Sequence, residues 1–402
     1  MPSPLCRRCG AAASADEARL GRRPALPGGL GSGKRAALHI AGAVAAAGIY
    51  WAGVVSNRLS FSVAMATYNG ARHLRAQLDS IAAQALKPIE LQIGDDGSTD
   101  ATEAIVADFA ASAPFPVNFH RNQPRLGYGG NFLEAARRCS GDWIAFSDQD
   151  DVWLPEKLAA CAQALERAAD PKILMIAHSA VIVGSDLTPT GGRIPEDLRD
   201  EVKGPLGHPL TWSHYGFAQL FRRELVADLP LVPRVPTVFT DIDPYPHDVW
   251  ISALANILGS TLHLARDLCL YRRHDASLTE TAKTEMVAPI AAARATGAAH
   301  YRHVAAVCAE AGQALDSQAA TARPEWRERL KAGAAAYRRY SAALILRAQV
   351  YDGGLPSRIG ALARLTAGKG YFGLGASSFG ARGLAKDLAA AAAPSLFAGK
   401  AA

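Results

Sequence analysis

The chain has 402 residues, 49% hydrophobic and 20% charged, with a formal net charge of +6. That length allows a large core and one to three domains. The mild basic excess suits an anionic ligand or an anionic membrane surface. With no basic block interleaved with aromatics, it makes no case for nucleic acid. Of six cysteines, only Cys6 and Cys9 are close (CRRC), and no second pair follows at zinc-finger spacing. Free thiols in a reducing compartment are therefore expected, not a disulfide scaffold or a structural zinc.

Residues 1–58 read as a leader, rich in Ala, Gly, Pro and Arg and disordered by composition. Within it, AALHIAGAVAAAGIYWAGVV (36–55) is long enough to cross a bilayer and follows Lys34 and Arg35. It is mostly Ala and Gly and contains His39, so a buried or interfacial helix fits equally well. A third reading places the true start further downstream, so that 1–58 are not made. No cleavable signal pattern is present.

From Phe61 the texture changes. FSVAMATYNG is a short strand ending in a polar turn, and ARHLRAQLDSIAAQA has helical spacing at Leu74, Leu78 and Ile81. The alternation continues through IELQIGDD (strand), ATEAIVADFAAS (helix), VNFHRN (strand), GGNFLEAARRC (helix) and WIAFSDQDD (strand). EKLAACAQALERAA (helix) and KILMIAHSAVIVG (strand) follow. This order predicts an α/β fold, a mostly parallel sheet with helices on both faces. Residues 185–245 are proline-rich and read as loops walling a crevice. HDVWISALANILG is a helix opening at His247 and Asp248. A helical, alanine-rich extension occupies 281–402, after a domain spanning 59–280. Its tail holds Arg358, Arg364, Lys369, Arg382 and Lys386 against one acid, Asp387. The tail reads as a surface-bound amphipathic segment or a loosely packed appendage.

Ligands of parallel sheets sit at the carboxyl ends of the strands. Three strand ends here are unusually polar: Thr67-Tyr68-Asn69, Asp95-Asp96 and Asp148 to Asp151. In IGDDGSTDATE, Gly97 suits the turn, Ser98, Thr99 or Asp100 suits the N-cap, and Glu103 suits the first helical turn. Two adjacent acids remain unexplained. One carboxylate would face the crevice, able to accept a pyrimidine imide N–H or ribose hydroxyls, and the other would brace the turn. Asp148-x-Asp150 puts two carboxylates on one side of an extended segment. Their repulsion calls for a positive partner, and Mg²⁺ or Mn²⁺ holding a diphosphate would supply it. The competing reading makes Asp150 or Asp151 the N-cap of the helix near Lys157.

ATYNGARHLRAQLDSIAAQ, IGDDGSTDAT, NQPRLGYGGNFLEAARRCSGDWIAFSDQDDVWLPEKL and HDVWISALANILG, up to YRRHDASLT, resemble the family 2 glycosyltransferases in order and spacing. SDQDDVW, HDVW and YRRHDAS look most like the rhamnosyltransferase branch. The resemblance covers about residues 61–280 and implies the GT-A nucleotide-sugar fold. It implies nucleotide contacts at Thr67, Tyr68, Asp95, Asp96 and Asp148, metal ligands at Asp148 and Asp150, a general base at Asp248 and a diphosphate contact at His274. Without the resemblance, Asp248 reads as an N-cap whose pKa the helix dipole would lower, and His274 as structural. HYGFAQLFRREL around Gly216 departs from the family's usual small-residue cluster and leaves the acceptor contacts open, and His247 stands where other branches carry an acid.

The function this implies is inverting transfer of a sugar, rhamnose being the branch's suggestion. The donor would be a nucleoside-diphosphate sugar and the acceptor a cell-surface glycan or lipid-linked molecule. Localisation would be cytoplasmic, with peripheral or single-span attachment at the inner membrane face and no nucleic-acid partner. A phosphatase of the aspartyl-phosphate kind would need an acid in ATYNG, and a nucleotidyltransferase would need a glycine-rich basic loop there. A degenerate nucleotide-sugar-binding scaffold is the remaining alternative. Intact Asp150 and Asp248 argue against it.

Overall fold

The structure, a computed structural model, describes residues 59–229, 246–274 and 297–392. The leader 1–58, with its 36–55 segment, lies outside the described residues, as do 230–245 and 275–296. No described helix is long and apolar enough to cross a membrane.

The first half alternates strand and helix as expected: β1 (Phe61–Thr67), α1 (Leu74–Ala82), β2 (Glu90–Asp95), α2 (Thr102–Ala110), β3 (Val117–Arg121), α3 (Tyr128–Arg137) and β4 (Trp143–Ser147). Then come β5 (Val152–Trp153), α4 (Lys157–Ala168), β6 (Ile173–Val183), β7 (Pro189–Ile194), β8 (Glu201–Lys203), β9 (Gln219–Arg222) and α5 (Glu224–Ala227). The chain closes through α6 (His247–Leu258), β10 (Ser260–Arg272), α7 (Gly297–Thr321), α8 (Pro324–Asp352), α9 (Leu355–Ala367) and α10 (Gly380–Ala392).

All pair into one sheet, with the order β3-β2-β1-β4-β9-β6-β10-β5, β7 beside β6 and β8 beside β10. β1 to β4 run parallel to one another, as do β6 and β10. Antiparallel β9 is wedged between β4 and β6 and joins the two parallel blocks. β7, β8 and β9 lie in the stretch expected to be loops. The four-residue strand QLFR is too short for its alternation to register, and its place is set by partners distant in sequence.

Alternating residues of β1 enter two different cores, as the two-residue repeat of a strand dictates. Val63 and Met65 pack with Leu74, Leu78, Val106 and Leu158, which places α1, α2 and α4 on one face. Ala64 and Ala66 pack with Phe132, Trp250, Leu254, Trp326 and Leu330, which places α3, α6, α7 and α8 on the other. The described part of the C-terminal extension therefore shares the sheet's core. Gly333 of α8 lies so close to α6 that a Cβ there would sit 2.8 Å from Ile257. The Tyr337 hydroxyl donates to the Leu210 carbonyl at 2.7 Å.

The tail is not a loose appendage. α9 and α10 close a third core with α8 around Tyr371 and Ala361. Asp387, its one acid, is buried, with its carboxylate 3.0 Å from Arg347 Nε and accepting from the Tyr351 and Tyr371 hydroxyls.

Candidate active site

The strand order reverses at β1, with β2 and β3 to one side and β4 to the other. Such a switch point opens a crevice at the strands' carboxyl ends. Thr67, Asp95 and Ser147 are the last residues of β1, β2 and β4, so the three polar strand ends converge here.

The Asp95-Asp96 pair divides its work. Asp95 is fully buried and accepts from the Thr67 hydroxyl at 2.9 Å, from the Gly97 and Ser98 N–H groups at 3.0 and 2.8 Å, and from the Ser98 hydroxyl. It is the brace of the turn, and Gly97 there has φ +82°. Thr67 belongs to the same brace, with its side chain turned inward. Asp96 accepts from Asn122 Nδ2 at 2.8 Å and from the Leu126 N–H at 3.1 Å, both on Oδ1. Asp100 provides the helix-entry bond, accepting from the Thr102 N–H at 3.0 Å. Tyr68 is 43% exposed, and the Arg125 guanidinium sits 3.9 Å from its ring centroid.

Three amides that sequence reasoning passed over hold these ends in register. Asn131 donates to the Gly94 and Thr67 carbonyls at 3.0 and 3.3 Å and accepts from Asn122. An asparagine inside a helical pattern was the available signal, since such a side chain tends to seek backbone partners. Gln149 pairs reciprocally with the backbone of Tyr68, accepting from its N–H at 3.1 Å and donating to its carbonyl at 3.2 Å. This ties the first strand end to the acidic loop.

The acidic loop does not cap α4, whose N-terminus has no side-chain cap. Asp151 instead turns inward, accepting from the Arg272 N–H at 2.9 Å. Asp150 lies 2.8 Å from His274 Nε2, and Arg272 Nε donates to the Asp150 carbonyl. The nearby Tyr128 hydroxyl favours the charged form of Asp148. Burial, then Asp150 and Asp248, raise the Asp148 carboxyl above the usual carboxylate range. Burial, then Asp150 and Asp148, raise Asp151 likewise.

The charge of Lys157 opposes both shifts. This lysine is fully buried, 3.7 Å from the Trp153 ring centroid, and donates to the Phe217 carbonyl at 2.7 Å. Burial brings its pKa down to about 8. The positive partners that the acidic run demands are thus partly internal, Lys157 and Arg272, with His274 against Asp150. Nothing in a helical pattern separates a buried lysine from a solvated one, so Lys157 was not legible.

Asp150 and Asp148 offer the hard oxygen donors that Mg²⁺ and Mn²⁺ prefer. Among the described residues no three His, Cys, Asp or Glu side chains cluster as a complete metal site. A cation here would therefore complete its shell with ligand oxygens and water, as Mg²⁺ usually does.

Asp248 opens α6, accepting from the Val249 N–H at 2.9 Å, and the nearby Gly216 N–H also favours its charged form. Its carboxyl is raised to about 6, with desolvation outweighing these backbone bonds. The downward shift expected from the helix terminus is thus overridden by burial. The charge on Asp248 reaches Asp148, so the two lie in one electrostatic field. His247 is no part of that field. It is fully buried, stacked 3.9 Å from the Phe132 ring, and held neutral with a pKa near 3. Gly216 fits against it because a Cβ there would come 2.5 Å from Nε2.

The profile described as "Glycosyl transferase family 2" matches residues 62–229. An uncharacterized glycosyltransferase of Nostoc sp. is 30% identical over 231 residues, covering 54% of this chain and 66% of the relative. A dTDP-rhamnosyl transferase of Shigella flexneri is 39% identical over 98 residues, covering 23% of this chain and 34% of the relative. The solved S. aureus TarS in complex with UDP-GlcNAc is 16% identical, covers 77% of this chain and 81% of its own, and has a TM-score of 0.46. The chain spans 62 to 66% of the length of the first curated relatives it matches. With its sheet order and polar strand ends, the chain carries a glycosyl transferase family 2 domain of the GT-A fold over residues 62–229.

Proposed function

We propose that the protein transfers a sugar from a nucleoside-diphosphate donor to a glycan or lipid-linked acceptor by direct displacement, inverting the anomeric centre. The observation that carries this reading is the convergence of Asp96, the Asp148–Asp150 pair and Asp248 on one crevice, with Asp248 raised to about 6. Asp96, beside the exposed Tyr68 ring, receives the nucleoside. Asp148 and Asp150 hold a divalent cation, which when bound offsets the charge of the departing nucleoside diphosphate. His274, on Asp150, lies beside that diphosphate. Asp248 accepts the proton of the acceptor hydroxyl, and its raised pKa brings it closer to the working pH of a general base. The short stretch similar to a dTDP-rhamnosyl transferase supports a deoxythymidine-diphosphate sugar such as rhamnose as donor.

The C-terminal helices support peripheral attachment to an anionic membrane. Leu355, Ile359 and Phe372 are 63, 58 and 70% exposed, and the one acid of 355–392 is buried and paired while five basic residues share that stretch. Apolar insertion and basic attraction act together on such a surface. Sedimentation with anionic and neutral vesicles tests this. Equal binding of wild type and a Leu355→Ser/Phe372→Ser variant would remove the attachment reading and leave the transfer reading untouched.

Release of nucleoside diphosphate from a panel of nucleotide sugars, with Mn²⁺, Mg²⁺ or EDTA, tests the transfer reading beside an Asp150→Asn variant. Cation-dependent release from one donor, lost in the variant, is expected. No release together with no donor binding by calorimetry would leave a degenerate scaffold.

A further inference from the structure

Among the described residues, Tyr128 adjoins both halves of the site, His247 on one side and Asp148 on the other. It opens α3 between Gly127, at φ +77°, and Gly129-Gly130. The chain therefore reaches it through a turn only glycine adopts freely. Its hydroxyl lies on the side of Asp148 of the acidic loop and favours the charged form of that carboxylate. Its ring stands edge-on to His247, the residue before Asp248, with centroids 5.2 Å apart. A second edge-on contact, 5.3 Å to Phe132, fixes the ring from behind. The side chain is nevertheless 39% exposed. Crowding by protein atoms, then the charges of Asp148, Asp248 and Asp150, holds the phenol pKa well above its ordinary range.

A buried aromatic would be explained by packing alone. A braced, partly open aromatic with its hydroxyl among the site's carboxylates is better explained by a ligand. On the reading proposed above, the transferring group passes from the acidic loop to the Asp248 side, and Tyr128 lies on that path. We infer that Tyr128 forms the wall of the subsite for the transferring sugar, with its ring against the apolar C–H face and its hydroxyl toward a sugar hydroxyl, and so sets donor-sugar preference. The nucleoside diphosphate itself would bind elsewhere, at Asp96 and the Asp148–Asp150 loop.

The test separates the sugar from its carrier. Calorimetry with Mn²⁺ compares the nucleoside diphosphate alone with the intact nucleotide sugar, for the full chain and for Tyr128→Phe and Tyr128→Ala. In wild type the sugar should add affinity. In Tyr128→Ala that added affinity should fall about tenfold, roughly the loss of one hydrogen bond and one ring contact, with nucleoside diphosphate binding within about threefold of wild type. Tyr128→Phe should fall between the two. Loss of nucleoside diphosphate and nucleotide-sugar affinity by the same factor would overturn the inference, because Tyr128 would then act only by positioning Asp148. So would variants that keep the whole sugar contribution. If wild type binds neither ligand, the transferase reading itself fails, and this inference with it.

Discussion

The two sides of the crevice are built on different principles. On the side of β1, β2 and β4, side-chain hydrogen bonds tie the polar groups to backbone: Asp95 to its turn, Asn131 to two carbonyls, Gln149 to Tyr68. On the side of α6 and β10, Asn256, Ser252 and Gln219 also bond to backbone, but a group of histidine rings is held by packing instead. His208 stacks 3.7 Å from Trp212, and His247 stacks on Phe132. Among the described residues, His208 Nε2, His263 Nε2 and both ring nitrogens of His214 and His247 have no hydrogen-bond partner. A hydrogen-bonded frame fixes geometry to a few tenths of an ångström and suits a ligand of constant shape. A packed aromatic frame tolerates replacement as long as volume is kept. On the proposed function, the first side suits the nucleoside diphosphate of the donor, and the second suits the acceptor.

The sharpest way to break this division is Asp248→Asn. It should lower kcat/KM by a factor of about 100 to 10,000, the span of general-base contributions, with donor affinity unchanged by calorimetry. The pH profile of wild type should also rise through about 6 as Asp248 ionises, and that limb should vanish in the variant. A comparable loss of donor affinity would mean that the two sides are one unit. Asn131→Ala attacks the other frame. It removes donors to the Gly94 and Thr67 carbonyls and one of the two acceptors of Asn122 Nδ2. Urea unfolding should show a loss of about 1–3 kcal/mol, the cost of leaving buried polar groups unpaired, together with weaker nucleoside diphosphate binding.

The same contrast decides what the sequence disclosed. The hydrogen-bonded side was legible because short, local grammar makes it: an apolar strand, two acids, a glycine turn, a helix. Asp95, Asp96, Asp148 and Asp150 all stand out on that basis. Which acid of 95–96 braces and which faces the crevice stayed open from the residues alone, and only the family resemblance pointed to Asp96, since the choice depends on Asn122 and Leu126, contacts that only the folded chain supplies. The packed side was read poorly. β9 has four residues, and its neighbours β4 and β6 are more than forty residues distant in sequence. Asp248 looked like a cap, and its dipole argument pointed the wrong way because burial by Tyr215 to Gln219 has no local sequence signal. Lys157 and Tyr128 share that cause.

A smaller effect tests the packed side through stability. Burial lowers His208 to about 4 and His214 and His247 to about 3. Their unfolded forms titrate near 6.5. Below that pH the unfolded chain binds protons that the folded chain refuses, so stability is full above 6.5 and falls as pH drops toward 4. Asp248 acts in the opposite sense, because a raised carboxyl takes its proton first in the folded state as pH falls through about 6. His214→Leu should flatten the acid-side loss by up to about 1.4 kcal/mol per pH unit, one proton's share, in urea melts taken between pH 6.5 and 5. An unchanged slope would mean that His214 finds a proton partner in solution and that the packed side is wired after all.

The smallest effect returns to the wired side. Gly70 allows Gln149 to reach Tyr68, for a Cβ at position 70 would sit 2.1 Å from Gln149 Oε1. The obstacle is the end of a movable side chain, so Gly70→Ala should fold. It should nevertheless push Gln149 off at least one of its two bonds to Tyr68, costing about 1 kcal/mol. Freed from Gln149, the Tyr68 loop should exchange its amide hydrogens faster, while exchange in α6 stays as in wild type. Faster exchange on both sides would show that the acidic loop, anchored by Asp151 to Arg272 and by Lys157 to Phe217, carries strain from one frame to the other.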